Sequence, residues 1–170
     1  MPDGAGRRLT GVAVAHTGIT CSDLERAIGF YRDVLGLEVT DPVRVGGRRM
    51  EQITGMPGAV IDVAYVNAPG HRIELLCYVE PTGAPSLLRP CDPGFVHVAL
   101  EVEHLDEAAR ALLRAGYEAV HPVESLEPPP PGGMRGVYTR DPDRVVIELI
   151  ETARRDELGP PGRRSQRPSG

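Results

Sequence analysis

Lysine is absent from this 170-residue chain, and all 19 basic residues are arginine. Tryptophan is absent as well, and aromatic residues make up only 4% of the chain. Any core must therefore be filled by aliphatic side chains, for which a 41% hydrophobic content is ample at this length. No apolar run approaches the roughly 20 residues of a helical membrane span. The opening MPDGAGRRLTG carries no apolar signal-peptide core. Cysteine is scarce and odd in number, and Cys21, Cys77 and Cys91 share no CxxC spacing, which argues against a disulfide framework. A net charge of −5 argues against a nucleic-acid or anionic-membrane partner. These absences lead to the expectation of a soluble cytoplasmic protein of one domain.

What is present is a weak internal repeat. Each half opens with an apolar strand, VAVAHTGI (Val12 to Ile19) and GFVHVALEV (Gly94 to Val102). A helix follows each strand. Ser22-Asp23-Leu24-Glu25 has the form of a capping box, and Leu24, Ala27, Ile28, Tyr31 and Leu35 follow at helical spacing up to Gly36. In the second half Leu105, Ala108, Ala109, Leu112 and Leu113 repeat the stripe, with Gly116 as the stop. Each half closes with a hairpin, Val63 to Tyr78 and Gly136 to Glu151, the second turning at Asp141-Pro142-Asp143. One further strand fits between helix and hairpin, over Leu37–Val45 and Glu118–Val123, with Pro128–Gly133 as a loop. The expected fold is α+β, built from two βαβββ modules in a single domain over 11–152. Module one is 11–80, the linker is 81–93 and module two is 94–152. The Arg-, Gly- and Pro-rich tails 1–10 and 153–170 have little to bury.

Four polar residues interrupt the predicted strands: His16, Glu74, His97 and Glu148. The two histidines occupy the same strand of each half, and so do the two glutamates. An unpaired charge among apolar strand neighbours costs several kcal/mol, on the order of a buried ion. Alternation places His97 with Phe95 and Ala99, and Glu148 with Val146 and Ile150, leaving an all-aliphatic opposite side for the helix. If the polar sides face one cavity, two imidazoles and two carboxylates form a suitable shell for a first-row divalent ion, with positions left open.

These stretches, HTGITCSDLERAIGFYRDVLGLEV, HRIELL, GFVHVALEV and YTRDPDRVVIELIE, resemble the vicinal oxygen chelate superfamily. That group includes glyoxalase I, methylmalonyl-CoA epimerase, the extradiol dioxygenases and the fosfomycin and bleomycin resistance proteins. The resemblance runs from Val12 to Glu151. It implies an open sheet cavity lined by one divalent metal ion (Zn, Ni, Co, Mn or Fe), with ligand positions on His16, Glu74, His97 and Glu148. The implied activity is that of an isomerase or lyase acting on a small molecule, in which a proton next to a metal-bound carbonyl is shifted. Glu148 is then the first candidate base and Glu74 the second. An Fe(II) extradiol dioxygenase would use His16, His97 and Glu148 alone, and Glu74 as a fourth ligand counts against it. A metal-free binding protein for a drug or metabolite is the third reading.

Other residues carry weaker expectations. Glu51 is a candidate opposed base or a solvated loop glutamate. Arg44, Arg48, Arg49 and Arg135 are placed in loops, where they could hold an anionic substrate. Met134, Tyr138 and Tyr78 could line the pocket. Cys77 reads as a buried core thiol, and Cys91 shows no activating partner. Open sheet edges make a homodimer the expected assembly.

Overall fold

The computed structural model describes residues 10–85, 88–122 and 133–152. It is a mixed α+β structure with two compact units, Met1–Gly83 and Ala84–Gly170, each carrying its own sheet. The expected tails therefore lie outside the described residues, apart from Thr10. So do most of the 128–133 loop and Val123 of the predicted strand Glu118–Val123.

In the first unit, strand β1 (Thr17–Thr20) leads into helix α1 (Leu24–Gly29) and a π-helical turn (Phe30–Val34). Strands β2 (Glu38–Val39) and β3 (Val43–Gly46), helix α2 (Arg48–Thr54) and the hairpin strands β4 (Val60–Ala68) and β5 (His71–Glu80) follow. Sheet order is β1-β5-β4-β2, with β3 also on β4, and β1 runs parallel to β5. The first-half strand expected over Leu37–Val45 is thus two strands, because Pro42 lacks the N–H that a continuous ladder needs. Thr40 bridges the gap: its N–H donates to Tyr65 O (2.9 Å), and its hydroxyl accepts from Tyr65 N–H (3.0 Å).

Helix α1 is capped by Asp23, whose carboxylate accepts from Arg26 N–H at 3.0 Å, and not by Ser22 as the capping-box reading had it. Of the expected stripe, Leu24, Ala27, Ile28 and Tyr31 are buried and Leu35 is half-buried, and Gly36 ends the segment at φ +71°. The face of the sheet carrying Ile19, Ala64, Val66, Ile73 and Leu75 is buried with it, each large aliphatic side chain contributing about 1.5–3 kcal/mol.

The second unit runs β6 (Val98–Glu101), α3 (Leu105–Arg114), β7 (Met134–Arg140) and β8 (Val146–Thr152), in sheet order β6-β8-β7. Where a middle strand was expected, the described residues show only the bridge Ala119↔Thr139, and the buried Thr139 hydroxyl donates to Glu118 O (3.1 Å). Leu105 and Leu112 are buried, while Leu113 turns outward and is exposed. Arg135 fixes the helix over its sheet: its guanidinium reaches Asp106 of α3 and Glu151 of β8, both at 2.6 Å. The helix therefore covers the face that carries Arg135, Val137, Thr139, Ile147 and Leu149.

Helix α2 was not expected. It lies between Gly47 and Gly55, both at positive φ, and buries no residue, so it shows no apolar stripe. The opening strands are shorter than read. Thr17 pairs with Ile73 and Val98 with Ile147, so Val12, Val14 and Val96 lie beyond the starts of β5 at His71 and of β8 at Val146, where the hairpins turn.

Two stability outcomes follow from these contacts. The buried Asp141 carboxylate accepts from Asp143 N–H (2.9 Å) and Val145 N–H (2.8 Å), closing the second hairpin. Asp141→Ala strands both donors and is expected to cost about 1–3 kcal/mol in urea unfolding. Arg135→Met, which unties α3 from β7 and β8, is expected to lower Tm by roughly 2–4 °C.

Candidate functional site

Both hairpins place a glutamate in mid-strand on the face turned away from the helix. In β5 its neighbours Ile73 and Leu75 are fully buried on the helix side, so alternation turns Glu74 to the other face. In β8 the buried Ile147 and Leu149 do the same for Glu148. Each glutamate meets the histidine of its own unit. His16 Nε2 lies 3.2 Å from Glu74 Oε2, and His97 Nε2 lies 3.0 Å from Glu148 Oε2.

Neither histidine is in mid-strand as expected. Both immediately precede their strands, with side chains 42% and 33% exposed, whereas the Glu74 and Glu148 side chains are 17% and 23% exposed. The pairs are thus half-open to solvent and not sealed in a core. No arginine pairs with either carboxylate among the described residues, and within each unit no third His, Cys, Asp or Glu joins the pair. An imidazole nitrogen beside an otherwise unneutralised carboxylate oxygen is a donor set that fits a first-row divalent ion.

A tyrosine completes each arrangement. Tyr65 stands directly across the ladder from Glu74, and Tyr138 directly across from Glu148. The Tyr65 hydroxyl donates to Glu74 Oε1 at 2.6 Å, and this bond, with burial, holds the phenol above its usual titration range. The Tyr138 ring packs 5.2 Å from the His97 ring, and Phe95 lies 6.1 Å from the same imidazole. Arg72 stacks over the Tyr65 ring at 4.9 Å. Tyr65 and Arg72 were not singled out from the sequence. The signal was available in the two-residue turn Pro69-Gly70, which sets Ala68 against His71 and hence Tyr65 against Glu74.

The four arginines expected in rim loops are placed differently. Arg44 lies in β3 and makes a two-point ion pair with Asp62 (2.7 and 2.8 Å), on the helix side of the sheet, opposite Glu74. Arg135 lies in β7, also on the helix side and already paired. Arg48 and Arg49 are on α2, not in a loop, and both are exposed. Glu51 is on α2 too, where its carboxylate accepts from Gly58 N–H at 3.0 Å and ties down the following turn. Tyr78 shares Glu74's face, and Met134 shares Glu148's face at the exposed end of β7. None of the three cysteines forms a disulfide among the described residues. Cys21 is buried and Cys91 exposed, while Cys77 is only half-buried, its thiol 3.7 Å from Ser22 O, and not the fully buried core residue expected.

A sequence model of the Glyoxalase/Bleomycin resistance protein/Dioxygenase superfamily matches residues 13–149. The chain is 30% identical over 151 residues to a 2-epi-5-epi-valiolone epimerase from an Actinomyces species, covering 85% of this chain and 82% of that protein. It is 28% identical over 144 residues to the mitochondrial methylmalonyl-CoA epimerase of Mus musculus, covering 79% and 70%. Among solved structures, a glyoxalase family protein from Bacillus cereus superposes with a TM-score of 0.73 at 26% identity, covering 87% of this chain and 97% of that one. With a repeated strand–helix–hairpin unit, a His–Glu pair in each copy and a match across most of its length, the chain belongs to the Glyoxalase/Bleomycin resistance protein/Dioxygenase superfamily.

Proposed function

We propose that this protein is a divalent-metal-dependent isomerase that epimerises a small molecule by moving a proton next to a carbonyl. The observation that carries the reading is the repetition of one His–Glu pair, at the same register and on the same face, in both units. The epimerases among its relatives favour an isomerase over a glyoxalase-type lyase.

In this reading His16, Glu74, His97 and Glu148 together hold one ion. Bound there, a divalent ion polarises a carbonyl oxygen and so acidifies the adjacent C–H. The rest falls to the chain. The two imidazoles supply nitrogen donors, and the two carboxylates balance the charge. Glu148, a carboxylate partly open to solvent, takes the proton. By the symmetry of the repeat Glu74 is the other candidate for proton transfer. Glu51 is less suited, since its carboxylate already serves a turn. The protein is further proposed to act as a homodimer: Val12 and Val14 before β1, and Val96 before β6, are more than three-quarters exposed beside strand edges that no other described strand pairs, an arrangement that a second copy would cover. Sedimentation is expected to give twice the chain mass, and a monomer at micromolar concentration would contradict it.

The test of function is deuterium wash-in from D2O, followed by NMR, with methylmalonyl-CoA and 2-epi-5-epi-valiolone as first probes. Exchange is expected with metal-loaded protein, to vanish on chelation and return with added metal. Glu148→Gln is expected to lower the exchange rate by about 10²–10⁴-fold. Oxygen uptake with catechols and no exchange would replace this reading with a dioxygenase.

A further inference from the structure

The two repeats do not treat their glutamates alike. Tyr65 and Tyr138 occupy the same cross-strand position opposite Glu74 and Glu148. Only Tyr65 donates to its glutamate, at 2.6 Å, and with His16 on the other oxygen both Glu74 oxygens are engaged. Among the described residues the only hydrogen bond to the Glu148 carboxylate is the one from His97, on Oε2. The ladder beside the two glutamates differs as well. Gly136 lies two residues before Tyr138 and Val63 two before Tyr65. A Cβ at Gly136 would crowd Leu149 O at 3.1 Å and touch Glu148 Oε1 at 3.4 Å, so the glycine keeps both the ladder and that carboxylate oxygen clear of a side chain.

From this we infer that Tyr65 is a positioning residue that locks Glu74 as a permanent metal ligand, leaving Glu148 as the carboxylate that moves and exchanges protons. The inference rests on the metal-dependent reading above. The phenol bond supports it. A hydrogen bond to a carboxylate oxygen fixes the orientation of the other oxygen toward an ion and is worth a substantial share of metal affinity. Arg72, stacked on the Tyr65 ring, holds the phenol from its open side. The symmetry that makes both glutamates candidate bases is thereby broken in favour of Glu148.

The experiment compares Co(II) binding by wild type, Tyr65→Phe and Tyr138→Phe, read by titration and by the visible absorption of the bound ion. Deuterium wash-in at saturating Co(II) is measured alongside. Tyr65→Phe keeps the ring and its packing, and a thermal melt checks the fold. Tyr65→Phe is expected to weaken Co(II) binding about 10–100-fold while keeping most of the exchange rate once saturated. Tyr138→Phe is expected to bind Co(II) with the affinity of wild type. Equal affinities for wild type and Tyr65→Phe overturn the positioning role and leave the metal reading intact. A saturated Tyr65→Phe that has lost exchange overturns the assignment of Tyr65 to positioning alone. Wild type that binds no Co(II) overturns the metal reading itself, and this inference with it.

Discussion

Glu74 and Glu148 each stand between two fully buried aliphatic residues, Ile73 and Leu75 in one strand and Ile147 and Leu149 in the other. That placement is tolerable only because a strand has two faces and a helix seals just one of them. The sealed face sets the register: slipping either strand by one residue would drive a carboxylate under the helix and an isoleucine or leucine out. The burial that stabilises each unit is therefore the same force that presents its carboxylate to the other side. Arg135 reinforces this in the second unit, tying α3 to both hairpin strands on the helix face, and Arg44 with Asp62 lies on the corresponding face of the first.

The repeat, the hairpins, both helices of the repeat and the mid-strand places of Glu74 and Glu148 were legible in the sequence. In each case a short-range rule and a buried face agree. The stripe Leu24, Ala27, Ile28 and Tyr31 is a helix because its face is a core, and the second hairpin turns where Asp141 caps its own backbone. What escaped was structure without a buried face. Helix α2 rests on flanking glycines and good helix formers, so no periodicity marks it. The apolar letters of VAVAH and FVH suggested longer strands, but the ladders begin only at Thr17 and Val98, and the upstream valines lie beyond the starts of β5 and β8. Arg44 and Arg135 resembled rim cations until register placed each opposite an acid on the helix side. Tyr65 was missed for the opposite reason: an aromatic in a strand is ordinary, and its role emerges only when the hairpin is counted back from its turn.

Duplication gives the molecule two equivalent His–Glu pairs, and the chemistry proposed for it needs them to differ. One carboxylate must stay on the ion while the other exchanges a proton, and an ancestral symmetric site would offer no reason for either choice. The phenol bond at Glu74 and the glycine beside Glu148 are two points at which the halves differ around matching His, Glu and Tyr positions. On this view the fold supplies the symmetric frame, and single substitutions on the polar faces assign the roles.

The central claim is that the two pairs act on one ion and not as two separate sites. Metal stoichiometry measures this directly, by elemental analysis of protein reconstituted with Zn(II) or Co(II) after exhaustive removal of loosely held metal. One ion per chain, lost from His16→Ala and from His97→Ala alike, is the predicted result. Two ions per chain, each lost only with the histidine of its own unit, or none at all, would contradict the account.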